Sequence, residues 1–443
     1  MWVDREVNRA NLFRYASLAM PLAFAGLPIY MLAPDFYSVH LSASLSTLGI
    51  GLLALRLADA FIDPFIGRAL DRLITHSKKI AILSCLALCF GFLMLFAPPS
   101  GLGAYLLPWF FVSVFLVTLA FSVLTILYGS VGAIWSREKT TQTLITSARE
   151  GLTLAGLILS ISIPFVLMEL LPASIAYLSL AILFVCLMVP AFFYYLPIQI
   201  AITGALSGFQ NQRSSGQRST PTTSINYLYV SYGLSSLASA IPAVLVVFYV
   251  RDYLGSQSFI GIALLIYFFS GALSMPLWHR VAAGVGKQRA WQISMVLAIA
   301  SFTWVLSLDP GDYWLYALIC LTSGFALGAE MALPPSILAE YTQQETNSGV
   351  AAKKYALLTM ISKLSLALSV GLCLPILGYF GFVAGGENST GALQSLSLLY
   401  GALPGVLKLF ALIVMQSWIH LEKTRKSHEP INTFTITRSV SDA

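Results

Sequence analysis

Three ionisable residues interrupt an otherwise apolar run, Leu55-Arg56-Leu57-Ala58-Asp59-Ala60-Phe61-Ile62-Asp63-Pro64. At membrane depth such groups are costly unless they pair with one another or line a wet cavity. On a helix turning by about 100° per residue, steps of three and seven bring Arg56, Asp59 and Asp63 into an arc of roughly 60°. Two acids and a base on one face point into a bundle and away from lipid, as in a transport pathway. More charges lie deep in apolar segments. Lys363, in Met360-Ile361-Ser362-Lys363-Leu364, sits about 13 Å beyond Lys354 by helical rise, too deep for easy snorkelling. Glu330, in Gly324-Phe325-Ala326-Leu327-Gly328-Ala329-Glu330, lies about 15 Å inside Glu340. Lys408 falls near the middle of the last apolar stretch. Isolated, these would be expensive, so Glu330 is expected to pair with Lys363 or Lys408 in a network opposite the two aspartates.

The elements that must carry these residues are membrane helices. Of 443 residues 57% are hydrophobic and 10% charged, against about 25% charged in soluble domains. Apolar stretches of about 20 residues, long enough to cross roughly 30 Å of hydrocarbon, recur near 11–33, 44–64, 79–97, 103–129, 147–168, 174–200, 224–250, 257–278, 288–308, 312–333, 355–380 and 393–419. The expected fold is all-α, with twelve transmembrane helices. Lys and Arg collect in alternate loops, whereas the other loops carry Arg251 beside Asp35, Glu169, Asp252, Asp309, Asp312 and Glu387. By the positive-inside rule both termini are cytoplasmic. The same asymmetry accounts for the net charge of +6, so nucleic acid is not an expected partner.

The longest polar stretch between spans, 201–223, reads as a flexible linker. It divides the chain into 1–200 and 224–420, six helices each, with a cytoplasmic tail at 421–443. Basic loops at matching places, around Arg68 and Arg72 and around Arg280 and Lys287, suggest an internal repeat of the alternating-access type. The five cysteines lie within spans and read as small buried hydrophobes. Trp109, Trp135, Trp278, Trp314 and Trp418 border spans and read as interfacial anchors. The Gly324-x-x-x-Gly328 pair serves close helix packing. No nucleotide loop, metal-protease motif or nucleophile elbow is present, so neither a catalytic residue nor a metal or cofactor site is expected.

Gly67-x-x-x-Asp71-Arg72, between spans two and three, resembles the signature loop of the major facilitator superfamily. The longer pattern Arg56-x-x-Asp59-Ala60-x-x-Asp63-Pro64-x-x-Gly67-x-x-x-Asp71-Arg72 resembles the glycoside–pentoside–hexuronide:cation symporters, the melibiose-carrier family. Tyr128-Gly129-Ser130-Val131-Gly132-Ala133, Arg137-Glu138-Lys139, Arg149-Glu150 and Lys363 extend the resemblance. It implies two six-helix bundles rocking about a central site, with Asp59 and Asp63 as cation-coupling carboxylates and Arg56 organising them. It further implies that Arg149 and Lys363 border the central site. Gly67, Asp71 and Arg72 form a structural charge network at the cytoplasmic rim, and Tyr128, Glu330 and Lys408 are further candidates for the cavity wall. The family's sugar-binding acids on helices one and four have no counterpart in Met20-Pro21-Leu22-Ala23-Phe24 or Thr125-Ile126-Leu127-Tyr128. Neutral oxygens for sodium are likewise missing at Ile62 and Val123, so H⁺ is favoured over Na⁺.

The expected function is secondary transport of a small organic solute, a sugar or related metabolite, across a bacterial-type inner membrane by a monomer in the lipid bilayer. The alternatives are an exporter of amphipathic compounds or drugs, and a non-transporting sensor or lipid-handling protein on the same fold.

Overall fold

The computed structural model describes residues 8–33, 36–37, 45–99, 101–136, 138–210, 222–344 and 351–428. Among them there is helix and no strand. Helix α1 (Arg9–Ala16) and α2 (Ala19–Leu27) form the first span, continued by a π-turn at Pro28–Leu32. Next come α3 (Leu45–Arg72), α4 (Ser77–Phe96), α5 (Leu106–Trp135), α6 (Lys139–Leu170) and α7 (Ala173–Gln210). The second half holds α8 (Thr222–Phe248), α9 (Phe259–Val285), α10 (Lys287–Val305), α11 (Tyr313–Gln344) and α12 (Ala351–Tyr379). The last span is α13 (Thr390–Ser397), a π-turn at Leu398–Ala402 and α14 (Leu403–His428).

Nine helical stretches among the described residues are long and apolar enough to cross a membrane by composition alone. The three remaining spans miss that standard for visible reasons. The first is broken between α1 and α2, α3 carries the buried charges, and α10 opens on Lys287, Gln288 and Arg289. With them, the described residues account for twelve spans, the number expected. Within the 201–223 stretch expected as a linker, α7 runs on to Gln210 and α8 starts at Thr222, and 211–221 lie outside the described residues. The tail expected from 421 is helical to His428, and 429–443 lie outside the described residues.

Burial follows the helical period. On α4, Cys85, Leu88 and Phe92 are buried while Leu83, Leu86 and Phe90 are exposed, an apolar outer stripe suited to lipid. Phe92 packs against Phe184 and Phe96 stacks on Tyr177 in the N-terminal core. Gly324 and Gly328 let α11 ride directly on α9: an added Cβ at Gly324 would collide with the Tyr267 oxygen, and one at Gly328 would lie 2.7 Å from the Gly271 oxygen. The close-packing reading of that pair holds. The tryptophans divide, because Trp314 is exposed whereas Trp135, Trp278 and Trp418 are buried. Trp278 spends its N–H on the Phe325 carbonyl at 2.7 Å, so these are core residues and not anchors. The five cysteines are free thiols, four of them buried and Cys186 exposed.

Candidate functional site

Helices α3 and α12, from different bundles, run antiparallel and touch from their basic end to mid-depth. At that end the Asp71 carboxylate accepts the backbone N–H groups of Ala352 and Lys353, each at 2.9 Å. These are first-turn donors of α12 with no partner inside the helix, so one bundle caps a helix of the other. Gly67, one turn deeper, permits the approach: a Cβ there would stand 2.6 Å from Ala356 Cβ and 2.7 Å from the Ala352 oxygen. Gly129 does the same against the Tyr355 ring. Arg72 is exposed at the rim.

A second tie crosses the same end. Glu340 of α11 holds Lys287 of α10 at 2.6 Å and Lys139 of α6 at 3.3 Å. The Ser336 and Thr143 hydroxyls meet beside it, 3.3 Å apart. Glu138 precedes α6, where the Thr140 and then the Thr141 hydroxyl hold its carboxyl below the usual carboxylate range.

At mid-depth the aspartates and Lys363 come together. Lys363 Nζ lies 2.8 Å from Asp59 Oδ2 and 2.8 Å from Asp63 Oδ2, and donates to Asp63 Oδ1 at 2.8 Å. It also donates to Ser122 Oγ at 2.7 Å, while that hydroxyl donates to Asp59 Oδ1 at 2.8 Å. Asp63 is fully buried, whereas a fifth of the Lys363 side chain is solvent-exposed (20%). Two carboxylates from the N-terminal bundle therefore share one ammonium from the C-terminal bundle. Arg56 lies one turn from Asp59 on α3 and is half-buried. Chemically, a cation or proton arriving at either aspartate competes with Lys363 for it. Mechanically, the clamp must break wherever the bundles part.

The other expected residues fall into two separate groups. Arg149 Nη2 pairs with Glu150 at 2.6 Å, with its guanidinium 6.0 Å from the centre of the Tyr128 ring. Tyr128 does not stand free in a cavity. Its hydroxyl donates to the Tyr15 carbonyl at 2.9 Å, the Tyr15 hydroxyl returns a bond to the Tyr128 carbonyl at 3.2 Å, and the residue is buried. Reciprocal bonding to the backbone makes it a brace between the first and fourth spans. Glu330 takes Lys408 and not Lys363 as its partner. Ser239 of α8 donates to Glu330 Oε2 at 2.8 Å, and Lys408 donates to Ser239 at 3.1 Å and to Ser235 at 3.4 Å. This network lies wholly within the C-terminal bundle.

Ser122, Ser235, Ser239 and Glu150 complete the charge groups, and Ser122 supplies a neutral oxygen beside the aspartates where none was expected. A serine in an apolar span carries no signal of its own. The usable hint was the four-residue spacing of Ser235 and Ser239, which puts both on one face of α8.

The chain is 22% identical to an uncharacterized symporter, YnaJ, of Bacillus subtilis over 452 aligned positions, covering 96% of this chain and 94% of that one. It is 24% identical over 184 residues, 40% of this chain and 34% of the other, to a sodium-dependent lysophosphatidylcholine symporter of Danio rerio. A bacterial homologue of the iron transporter ferroportin, solved facing outward, superposes with a TM-score of 0.64 at 16% identity, covering 95% of this chain and all of that one. A family model described as MFS/sugar transport protein matches residues 12–422, and the chain belongs to that family, a transporter of the major facilitator superfamily and not an enzyme.

Proposed function

We propose that this protein is a secondary active symporter that moves a small organic solute, a sugar or related metabolite, across the inner membrane, coupled to protons. The observation carrying the reading is the clamp of Lys363 on Asp59 and Asp63, because its partners belong to bundles that must separate. With the basic end taken as cytoplasmic, the closed latches at Asp71 and Glu340 correspond to an outward-facing state. Breaking a buried ion pair without replacement costs about 3–5 kcal/mol, so the charged clamp keeps that end shut. A proton on Asp59 or Asp63 removes one attraction and lowers the cost of opening. Solute bound between the bundles favours closure of the opposite end. A ligand shifts such an equilibrium only through differential affinity for its two states, and the clamp supplies that difference.

Sodium is a second reading, favoured by the Ser122 oxygen beside the two carboxylates and by the sodium dependence in the name of the Danio rerio relative. The test is uptake into proteoliposomes of a panel of sugars and related metabolites under an imposed pH or sodium gradient. Asp59→Asn is expected to abolish concentrative uptake and to retain counterflow. Unchanged accumulation in that variant refutes coupling at the clamp, and accumulation driven by sodium alone selects the second reading.

A further inference from the structure

The Glu330–Lys408 network has no part in the clamp, and its burial is one-sided. The Lys408 side chain is sealed, at 1% exposed, whereas Glu330 retains 10%. The ammonium sits among α8, α11 and α14, with Ser235, Ser239 and Glu330 around it. The carboxylate is the less enclosed member of the pair. One oxygen receives Lys408 and the other Ser239. A carboxylate offers about four lone-pair positions, so among the described residues about half of its acceptor capacity is unspent.

Three roles can be weighed for this pair. As a coupling latch it fails, because all its members ride on one bundle and their contacts do not change when the bundles rock; a coupling contact must differ between states. As a pure stabiliser it is poorly motivated, since buried ion pairs are often no better than apolar packing of the same volume. As a fixed acceptor at the edge of the central space it fits the one-sided burial. Lys408 then orients the carboxylate and cancels its charge. A second cation at Glu330 would meet the Lys408 ammonium, and an anion would meet the carboxylate.

We infer that Glu330 contacts the transported solute from the C-terminal wall, as a hydrogen-bond acceptor positioned by Lys408 for an uncharged solute that donates through hydroxyl or amide groups. This rests on the transport reading above but not on the identity of the coupling ion.

The experiment measures binding to the purified full-length protein, where no gradient enters. The probes are glucose, xylose, glucitol, sucrose and N-acetylglucosamine as neutral donors, with choline and gluconate as charged comparisons. At least one neutral probe is expected to bind the parent protein in preference to both charged ones. Glu330→Asp keeps a charge for Lys408 but withdraws the oxygens by one methylene, and should weaken that probe about tenfold or more. Glu330→Gln with Lys408→Met removes both charges together; it should keep the unfolding temperature and lose the affinity to a similar degree. Because binding is read with no gradient imposed, loss of coupling at the clamp does not enter the result, which separates failure here from failure of the coupling assignment. Parent-like affinity in either Glu330 variant overturns the proposal, as does a preference for choline or gluconate, or binding of none of the neutral probes.

Discussion

Replacing Gly67 by alanine tests whether the closed basic end depends on backbone contact between α3 and α12. The added methyl would lie 2.6 Å from Ala356 Cβ, 2.7 Å from the Ala352 oxygen and 2.9 Å from Lys353 Cα. Carbon–carbon contacts settle at about 3.5–4.0 Å, and two of the three obstacles are backbone atoms that cannot rotate away. The helices must therefore move apart by about 1 Å at this crossing. The Asp71 bonds to Ala352 and Lys353, now 2.9 Å, would be stretched toward the limit of useful hydrogen bonding. Overpacking costs about 1–3 kcal/mol, and weakening one charge-assisted bond adds about 1.5 kcal/mol. A total near 3 kcal/mol, borne only by the state closed at this end, changes the ratio of the two states about 150-fold. Spin labels at Arg68→Cys and Lys353→Cys, both exposed positions, in a background without native cysteines should report a short distance in the parent and a second, longer population in Gly67→Ala. An unchanged distance distribution in a folded variant would refute the argument.

Asp71→Asn leaves one good acceptor where two N–H groups now bond, and should move the same label distances in the same direction by about 1–2 kcal/mol, less than Gly67→Ala. Lys363→Ala strands two buried carboxylates and should lower stability by about 3–5 kcal/mol. Adding Asp63→Asn should recover part of that in a thermal unfolding assay, and a double variant no better than the single would argue against the shared clamp. The two lysines on Glu340 should differ. Lys139 is 71% exposed and Lys287 is 7% exposed, so Lys139→Ala should cost under about 1 kcal/mol. Lys287→Ala should cost about 3 kcal/mol, and equal losses of unfolding temperature would contradict the burial argument.

The extent to which this site could be read from the chain depends on three kinds of positional information. Depth is available directly: counting residues from Lys354 or Glu340 puts Lys363 and Glu330 far from water, and buried charge demands a partner. Azimuth is available from helical period, which puts Asp59 and Asp63 on one face. Adjacency is not available, because neither count says which helix lies opposite. Glu330 therefore had two eligible partners at similar depth, Lys363 and Lys408, and packing of α8, α11 and α14 decided for Lys408. The partner of Tyr128 was hidden for the same reason, since Tyr15 is 113 residues away in sequence. Ser122 escaped because a hydroxyl can satisfy itself on its own helix and so makes no demand that sequence exposes.

Adjacency also separates two ion pairs of the same chemistry. Lys363 and Lys408 are both lysines bound to carboxylates in the middle of the membrane fold. The first reaches from α12 in one bundle to α3 in the other, so its bonds are strained or broken by any motion that opens the basic end. The second joins α14 to α11 within one bundle and is carried unchanged through the same motion. Neutralising Asp63 should thus alter the balance between states, whereas neutralising Glu330 and Lys408 together should alter affinity and leave that balance alone. The label pair at Arg68 and Lys353 distinguishes these outcomes in a single measurement.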